Sequence, residues 1–222
     1  MIPPDVPRFK FPKIWHLPWS DGFDSRSDRV FSLQQILDFF SGREVVVTEK
    51  MDGENCSMYS NFIHARSVDG RDHPSRSWVK RLHSRIRLGI PEGWRVCGEN
   101  LAAKHSIFYD TLPSPFLAFA VYDESNRCLG WDEMAARAEA LGIPTVPVLF
   151  RGGYDERLVR DCQIGRSSFG SAEQEGYVVR LVSDIGWDQH EHSFAKYVRR
   201  CHVQTDEHWM EEKMVWNGFP KV

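Results

Sequence analysis

Glu44-Val45-Val46-Val47-Thr48 constrains this chain more than any other stretch. A β-branched run of this kind reads as a strand buried on both faces. It leads straight into Lys50-Met51-Asp52-Gly53, where the glycine frees the backbone for a tight turn. A lysine at the mouth of such a turn faces a pocket instead of open water. An amine at its ordinary pKa is protonated at neutral pH and is a poor nucleophile. Burial and a neighbouring metal ion both disfavour the ammonium and would free the lone pair. Alone, Lys-x-Asp-Gly also fits a surface hairpin, so the context decides.

Four further segments stand in order behind the turn. Asn55 lies five positions after Lys50, and Arg66 sits in Ile63-His64-Ala65-Arg66-Ser67. Gly98-Glu99-Asn100 ends the strand-like Trp94-Arg95-Val96-Cys97, and Glu175-Gly176-Tyr177-Val178-Val179-Arg180 precedes Phe194-Ala195-Lys196-Tyr197-Val198-Arg199. In that order, over roughly residues 40 to 205, the chain resembles the covalent nucleotidyltransferase superfamily of ATP-dependent ligases and capping enzymes. Within it, the asparagine after the lysine makes the chain similar to RNA ligases of the phage second-ligase type. Phe116-Leu117-Ala118-Phe119-Ala120-Val121 matches the family's aromatic segment.

The resemblance implies an α+β fold: a nucleotidyltransferase (ATP-grasp-like) domain of antiparallel sheets flanked by helices. It implies ATP as the nucleotide, an AMP adduct on Lys50, and Mg2+ or Mn2+ held by Glu175. Glu99 would take the ribose hydroxyls, Phe119 would stack on adenine, and Glu49 would read the adenine amino group. Asn55 completes the nucleotide set, and Arg66 and Lys196 would neutralise phosphate oxygens. Two positions depart from the family pattern. Ala120 stands where an aspartate is usual, and Val198 where a second lysine is usual, with Arg199 and Arg200 as nearby substitutes. The alternatives are an ATP-dependent DNA ligase, a guanylyltransferase, or a silent RNA-end-binding module suggested by Ala120 and Val198. The stretch after Lys196 is too short for the oligonucleotide-binding (OB) barrel that DNA ligases and capping enzymes append.

At 222 residues the chain can bury a substantial core. We expect one adenylyltransferase domain over 1–222, with 1–30 an irregular aromatic-rich segment and 201–222 a short tail. No apolar run approaches the ~18 residues that cross a bilayer, and Met1 to Pro7 lacks the blocks of a signal peptide. Five scattered cysteines without Cys-x-x-Cys spacing point to a reducing cytoplasm, not to disulfides or zinc. His190-Glu191-His192 would aim two histidines one way only on a strand, and no third ligand is evident.

The net charge of −3 excludes a uniformly basic nucleic-acid coat. Charge distribution is more telling. Arg71, Arg76, Lys80, Arg81, Arg85 and Arg87 face only Asp72, while Asp206, Glu207, Glu211 and Glu212 offset them near the end. Trp78 or Val79, Leu82 and Ile86 recur at helical spacing, which predicts an amphipathic helix over Ser77–Leu88. Its basic face, with Arg76, Lys80, Arg85 and Arg87, is either a solvated surface or a track for nicked or single-stranded RNA ends. Elsewhere Ser32 and Gln35 predict a capped helix to Phe40, and Trp131 opens a second helix to Leu141. A short helix is expected over 155–162. Strands are expected near 44–50, 54–60, 62–68, 94–100, 116–122, 145–150, 175–182 and 193–199.

Overall fold

The computed structural model describes residues 7–24, 26–68, 73–162, 165–200 and 214–219. Arg71, Asp72, the four acidic residues near the end, and most of the expected 201–222 tail lie outside the described residues.

Two antiparallel-rich sheets make the frame. The first contains β1 (Trp15–His16), β2 (Glu44–Glu49), β7 (Val148–Gly153), β8 (Gly176–Leu181) and β9 (Phe194–Val198), in the order β1-β9-β8-β2-β7. Every pairing in it is antiparallel except the short parallel contact of β1 with β9. The second contains β3 (Glu54–Tyr59), β4 (Ile63–Ala65), β5 (Arg95–Asn100) and β6 (Phe116–Tyr122), ordered β4-β3-β5-β6. The α+β fold with antiparallel sheets follows the expectation.

The valine run does what its composition demands. Val45, Val46 and Val47 are all fully buried, because β2 lies between β8 and β7 and is covered on both sides. Val46 enters one apolar core, with Met58, Val79, Leu82, Val96 and Phe116. Val45 and Val47 enter the other, with Phe40, Tyr177, Val179 and Tyr197. Phe119 touches both cores. The strand that carries Lys50 is thus anchored in both halves of the hydrophobic interior.

Helices cover the outer faces. In α1 (Leu33–Phe40) the Ser32 hydroxyl accepts from the Gln35 amide, and the Gln35 side chain accepts from the Ser32 amide. That reciprocal cap satisfies two otherwise orphaned donors. In α2 (Ser77–Ile86) Val79, Leu82, His83 and Ile86 face inward, and a 3-10 turn over Arg87–Gly89 ends the helix earlier than the expected Leu88. Helix α3 (Trp131–Ala140) packs on β6, and α4 (Glu156–Asp161) starts at the Asp155 cap.

Two strands differ from expectation: the one expected near 62–68 is only Ile63–Ala65, which leaves Arg66 beyond its end, and the one expected near 145–150 is displaced by a proline. Residues 144–146 bond to Ala118 on β6, and Pro147 then lacks an amide proton to continue that ladder. The chain crosses to the other sheet, so β7 begins at Val148 and runs on to Gly153, past the expected end at 150. Among the described residues before α1, the strand is β1, which leans on β9 beside Lys196.

Candidate active site

The turn after β2 carries the chain from the first sheet to the second, and Lys50 sits where they meet. Its amide donates to the Gly176 carbonyl, which ties the turn to β8. Its ammonium is 2.6 Å from Glu175 Oε2, with the lysine side chain 27% exposed and the glutamate 6%. On the second sheet Asn55 and Glu99 are directly paired across β3 and β5. Paired residues project from the same sheet face. Lys196 lies on β9 opposite Val178, and Arg66 is exposed just beyond β4.

Electrostatics join these groups into one site. Burial pushes Lys50 down, but Glu175, Glu99 and Asp52 outweigh it, and the net shift is upward. The expectation that burial would free the amine is therefore corrected: the carboxylates that converge on Lys50 hold it as an ammonium. Glu99 is pushed up to about 8 by burial; Lys50 opposes the shift, while Glu175, Asp52 and Glu54 add to it. Lys196 is pushed down to about 8, first by burial and then by Lys50, with Arg66 adding to the shift. Arg66 is thus near enough to repel Lys196. Asn55 has its Oδ1 buried and accepting no hydrogen bond, which leaves an acceptor at the site unused by the protein.

The remaining expected positions are more engaged. Glu49 is buried, with one oxygen accepting from Ser167 Oγ at 2.6 Å and the other from the Ser168 amide at 2.9 Å. Phe119 is partly buried and meets Phe11 edge-on at 5.2 Å. Val198 is buried beneath Gly22, so the N-terminal segment covers the position where the family usually has its second lysine. Arg199 donates to the Gln174 carbonyl and approaches Glu173, at the loop leading to Glu175. Ala120 is fully buried within the second core. His190 and His192 lie on a 3-10 helix, not a strand. His190 bonds Tyr122 and His192 stacks on Phe39.

The four basic residues chosen around α2 do not share one environment. Lys80, Arg85 and Arg87 are exposed. Arg76 turns inward instead, in a two-pronged ion pair with Glu54 whose side chains are 12% and 10% exposed. It precedes the helix as its N-cap and so does not follow the helix's outer face.

Sequence reasoning missed the groups that support the turn. Asp52 Oδ2 accepts from the Ser106 and Ile107 amides, both at 2.7 Å, and the Asp52 amide donates to Tyr109 Oη at 2.7 Å. Ser167 and Ser168, beside Glu49, also went unread. Nothing in their local spacing marks them, since each is brought to the site by a loop.

Among the described residues no three His, Cys, Asp or Glu side chains stand together as a self-sufficient metal cage. Glu175 and Glu99 nevertheless supply the hard oxygen donors that Mg2+ or Mn2+ prefers, and such ions usually keep several waters or phosphate oxygens as ligands. The donor set fits such an ion.

Comparisons with known proteins agree with this geometry. A family model described as RNA ligase matches residues 43–198. No curated protein sequence matches the chain. Among solved structures, Naegleria gruberi RNA ligase with PPi is similar over 78% of this chain and 54% of its own, at 18% identity and a TM-score of 0.55. A lysine-to-alanine variant of that ligase, with ATP and Mn, matches at 17% identity and a TM-score of 0.56, covering 75% and 52%. A lysine-to-methionine variant with AMP and Mn matches at 16% identity and 0.54, covering 75% and 52%. The chain spans about half the length of these structures. The family match takes in all of β2 to β9, and with it Lys50, Asn55, Arg66, Glu99, Glu175 and Lys196: the chain belongs to the RNA ligase family.

Proposed function

We propose that this protein joins RNA 5′-phosphate and 3′-hydroxyl ends at the expense of ATP, through a covalent AMP on Lys50, as RNA ligases of the phage second-ligase type do. The observation that carries this is the contact of Lys50 with Glu175 at the meeting of the two sheets, with Glu99 and Lys196 near it and Arg66 near Lys196. In the first step Lys50 Nζ attacks the α-phosphorus of ATP. The ammonium first loses one proton, for which Glu175 Oε2 is the acceptor already in contact with Nζ. A nitrogen–phosphorus bond then forms as the bond to pyrophosphate breaks, and the nitrogen releases its second proton to water. AMP then passes to the RNA 5′ phosphate, and the 3′ hydroxyl attacks that phosphate and expels AMP.

Phosphoryl transfer depends on positioning and charge neutralisation. Lys196 and Arg66 are the cations for phosphate oxygens, and Glu99 with Asn55 offers polar groups to the ribose. Glu49, in its serine clasp, and Phe119 are assigned to the base. Glu175 would hold Mg2+ or Mn2+; when bound, that ion supplies positive charge in place of the Lys50 ammonium and screens the phosphates. The Naegleria structures with ATP, AMP and Mn support this nucleotide and metal. We further propose that the 222 residues act as one adenylyltransferase domain serving RNA repair in the cytoplasm. No helix among the described residues is long and apolar enough to cross a membrane.

Incubation with ATP and Mg2+ should add one AMP by mass, and Lys50→Ala should abolish it. An adduct that survives Lys50→Ala moves the nucleophile elsewhere. Label from GTP alone would indicate a capping-type enzyme, and no label an RNA-end-binding module.

A further inference from the structure

The Lys50 turn is held by a segment far away in the chain. Asn217, only 5% exposed, bonds through both ends of its side-chain amide: Oδ1 accepts from the Tyr109 amide at 3.0 Å, and Nδ2 donates to the Leu101 carbonyl at 2.8 Å. Its own backbone amide donates to Ala102, and the Gly218 amide donates to Tyr109. Gly218 lies so close that an added Cβ would stand 2.1 Å from the Asp110 carbonyl oxygen. Residues 101–112 are therefore clasped by 214–219. That loop in turn grips Asp52 at three points: two amides on Oδ2, and Tyr109 Oη under the Asp52 amide. Tyr109 is fully buried in the apolar core, so its hydroxyl has a fixed place. Gly53 completes the fit, because a Cβ there would meet the Asn100 carbonyl oxygen at 2.5 Å.

We infer that Tyr109 and Asn217 are positioning residues for the nucleophile: the 214–219 segment sets the 101–112 loop, and the loop sets the turn that aims Lys50. This rests on Lys50 being the adenylylated residue. Neither side chain is placed against nucleotide or RNA. Their influence runs through Asp52, so it falls on the step in which Lys50 attacks and not on later chemistry at the RNA ends.

The test compares two reactions in the same variant. Tyr109→Phe keeps the buried ring and removes only the oxygen that accepts the Asp52 amide proton. Single-turnover formation of the Lys50–AMP adduct at saturating ATP should slow about tenfold, the scale of one buried hydrogen bond. The ATP concentration for half-maximal rate should change less than about twofold, since the pocket groups stay in place. Sealing of a pre-adenylylated RNA end, which needs no attack by Lys50, should stay near the unaltered rate. Asn217→Leu should show the same split. An unaltered rate of adduct formation in Tyr109→Phe would overturn the inference. So would equal loss of both reactions, which would make the role one of folding alone. Absence of any adduct in the unaltered protein would instead overturn the reading of Lys50, and the inference with it.

Discussion

Lys196, pushed down to about 8, and Glu99, pushed up to about 8, titrate in the same range in the nucleotide-free protein. Below that range Lys196 is a cation that, in the proposed role, would attract triphosphate, and Glu99 is a neutral carboxyl. Above it the cation is lost and a negative charge is gained, so both changes oppose ATP capture. Lys50 runs the other way, because its shift is upward and its reactive amine becomes commoner as pH rises. For self-adenylylation, kcat should climb through the alkaline range while KM for ATP rises above about pH 8. Lys196→Arg, with a guanidinium that does not deprotonate, should remove part of the KM rise. A KM that stays flat to strongly alkaline pH would contradict these assignments. Glu175 admits a sharper test. Glu175→Gln keeps shape but removes the charge that holds Lys50 and would hold metal, so ligation should fall by orders of magnitude with circular dichroism unchanged. Full activity in that variant, or in excess chelator, would remove Glu175 from the chemistry.

At the scale of elements, what was legible is what repeats along the chain. The valine run, the Ser32–Gln35 cap and the apolar stripe of α2 each carry their signal within a few residues, and each forms as expected. What was not legible depends on residues distant in sequence. Arg76 reads as one more cation in a basic stretch, but its partner Glu54 lies on a strand that the sequence cannot place beside it. The Tyr109–Asn217 clasp is invisible for the same reason. The difference gives a stability prediction. Arg76→Ala leaves Glu54 in a mostly buried setting without its paired charge and should cost about 3 kcal/mol, read as a lowered denaturation midpoint. Lys80→Glu, on an exposed face, should stay within about 0.5 kcal/mol of the unaltered protein. Gly98 belongs to the same lesson. It marks a register shift between β5 and β6, and a Cβ there would stand 2.4 Å from both the Leu117 carbonyl oxygen and the Phe116 ring. Gly98→Ala should therefore destabilise by about 1–3 kcal/mol by overpacking, and a neutral result would show that β6 yields easily.

At the scale of the molecule, we propose that catalysis and strand binding divide between surfaces. The net charge of −3 gives no general attraction for RNA, so any affinity must come from a local concentration of cations. Lys80, Arg85 and Arg87 provide one on the exposed side of α2, whose other side is sealed against the core by Val79, Leu82 and Ile86. Phosphates laid along that face would release counterions, and affinity would fall steeply with salt. Reversing Lys80 and Arg85 to glutamate should weaken binding of nicked or single-stranded RNA and flatten the salt slope by roughly one to two units. Arg76, committed to Glu54, should be left out of that pair of changes, because its loss would confuse binding with stability. Formation of the Lys50–AMP adduct should stay nearly unchanged, since none of the groups around Lys50 lies on this helix. If adduct formation collapses together with RNA binding, α2 belongs to the nucleotide pocket or to the stability of the fold. If binding and its salt slope are untouched, the RNA runs over another face.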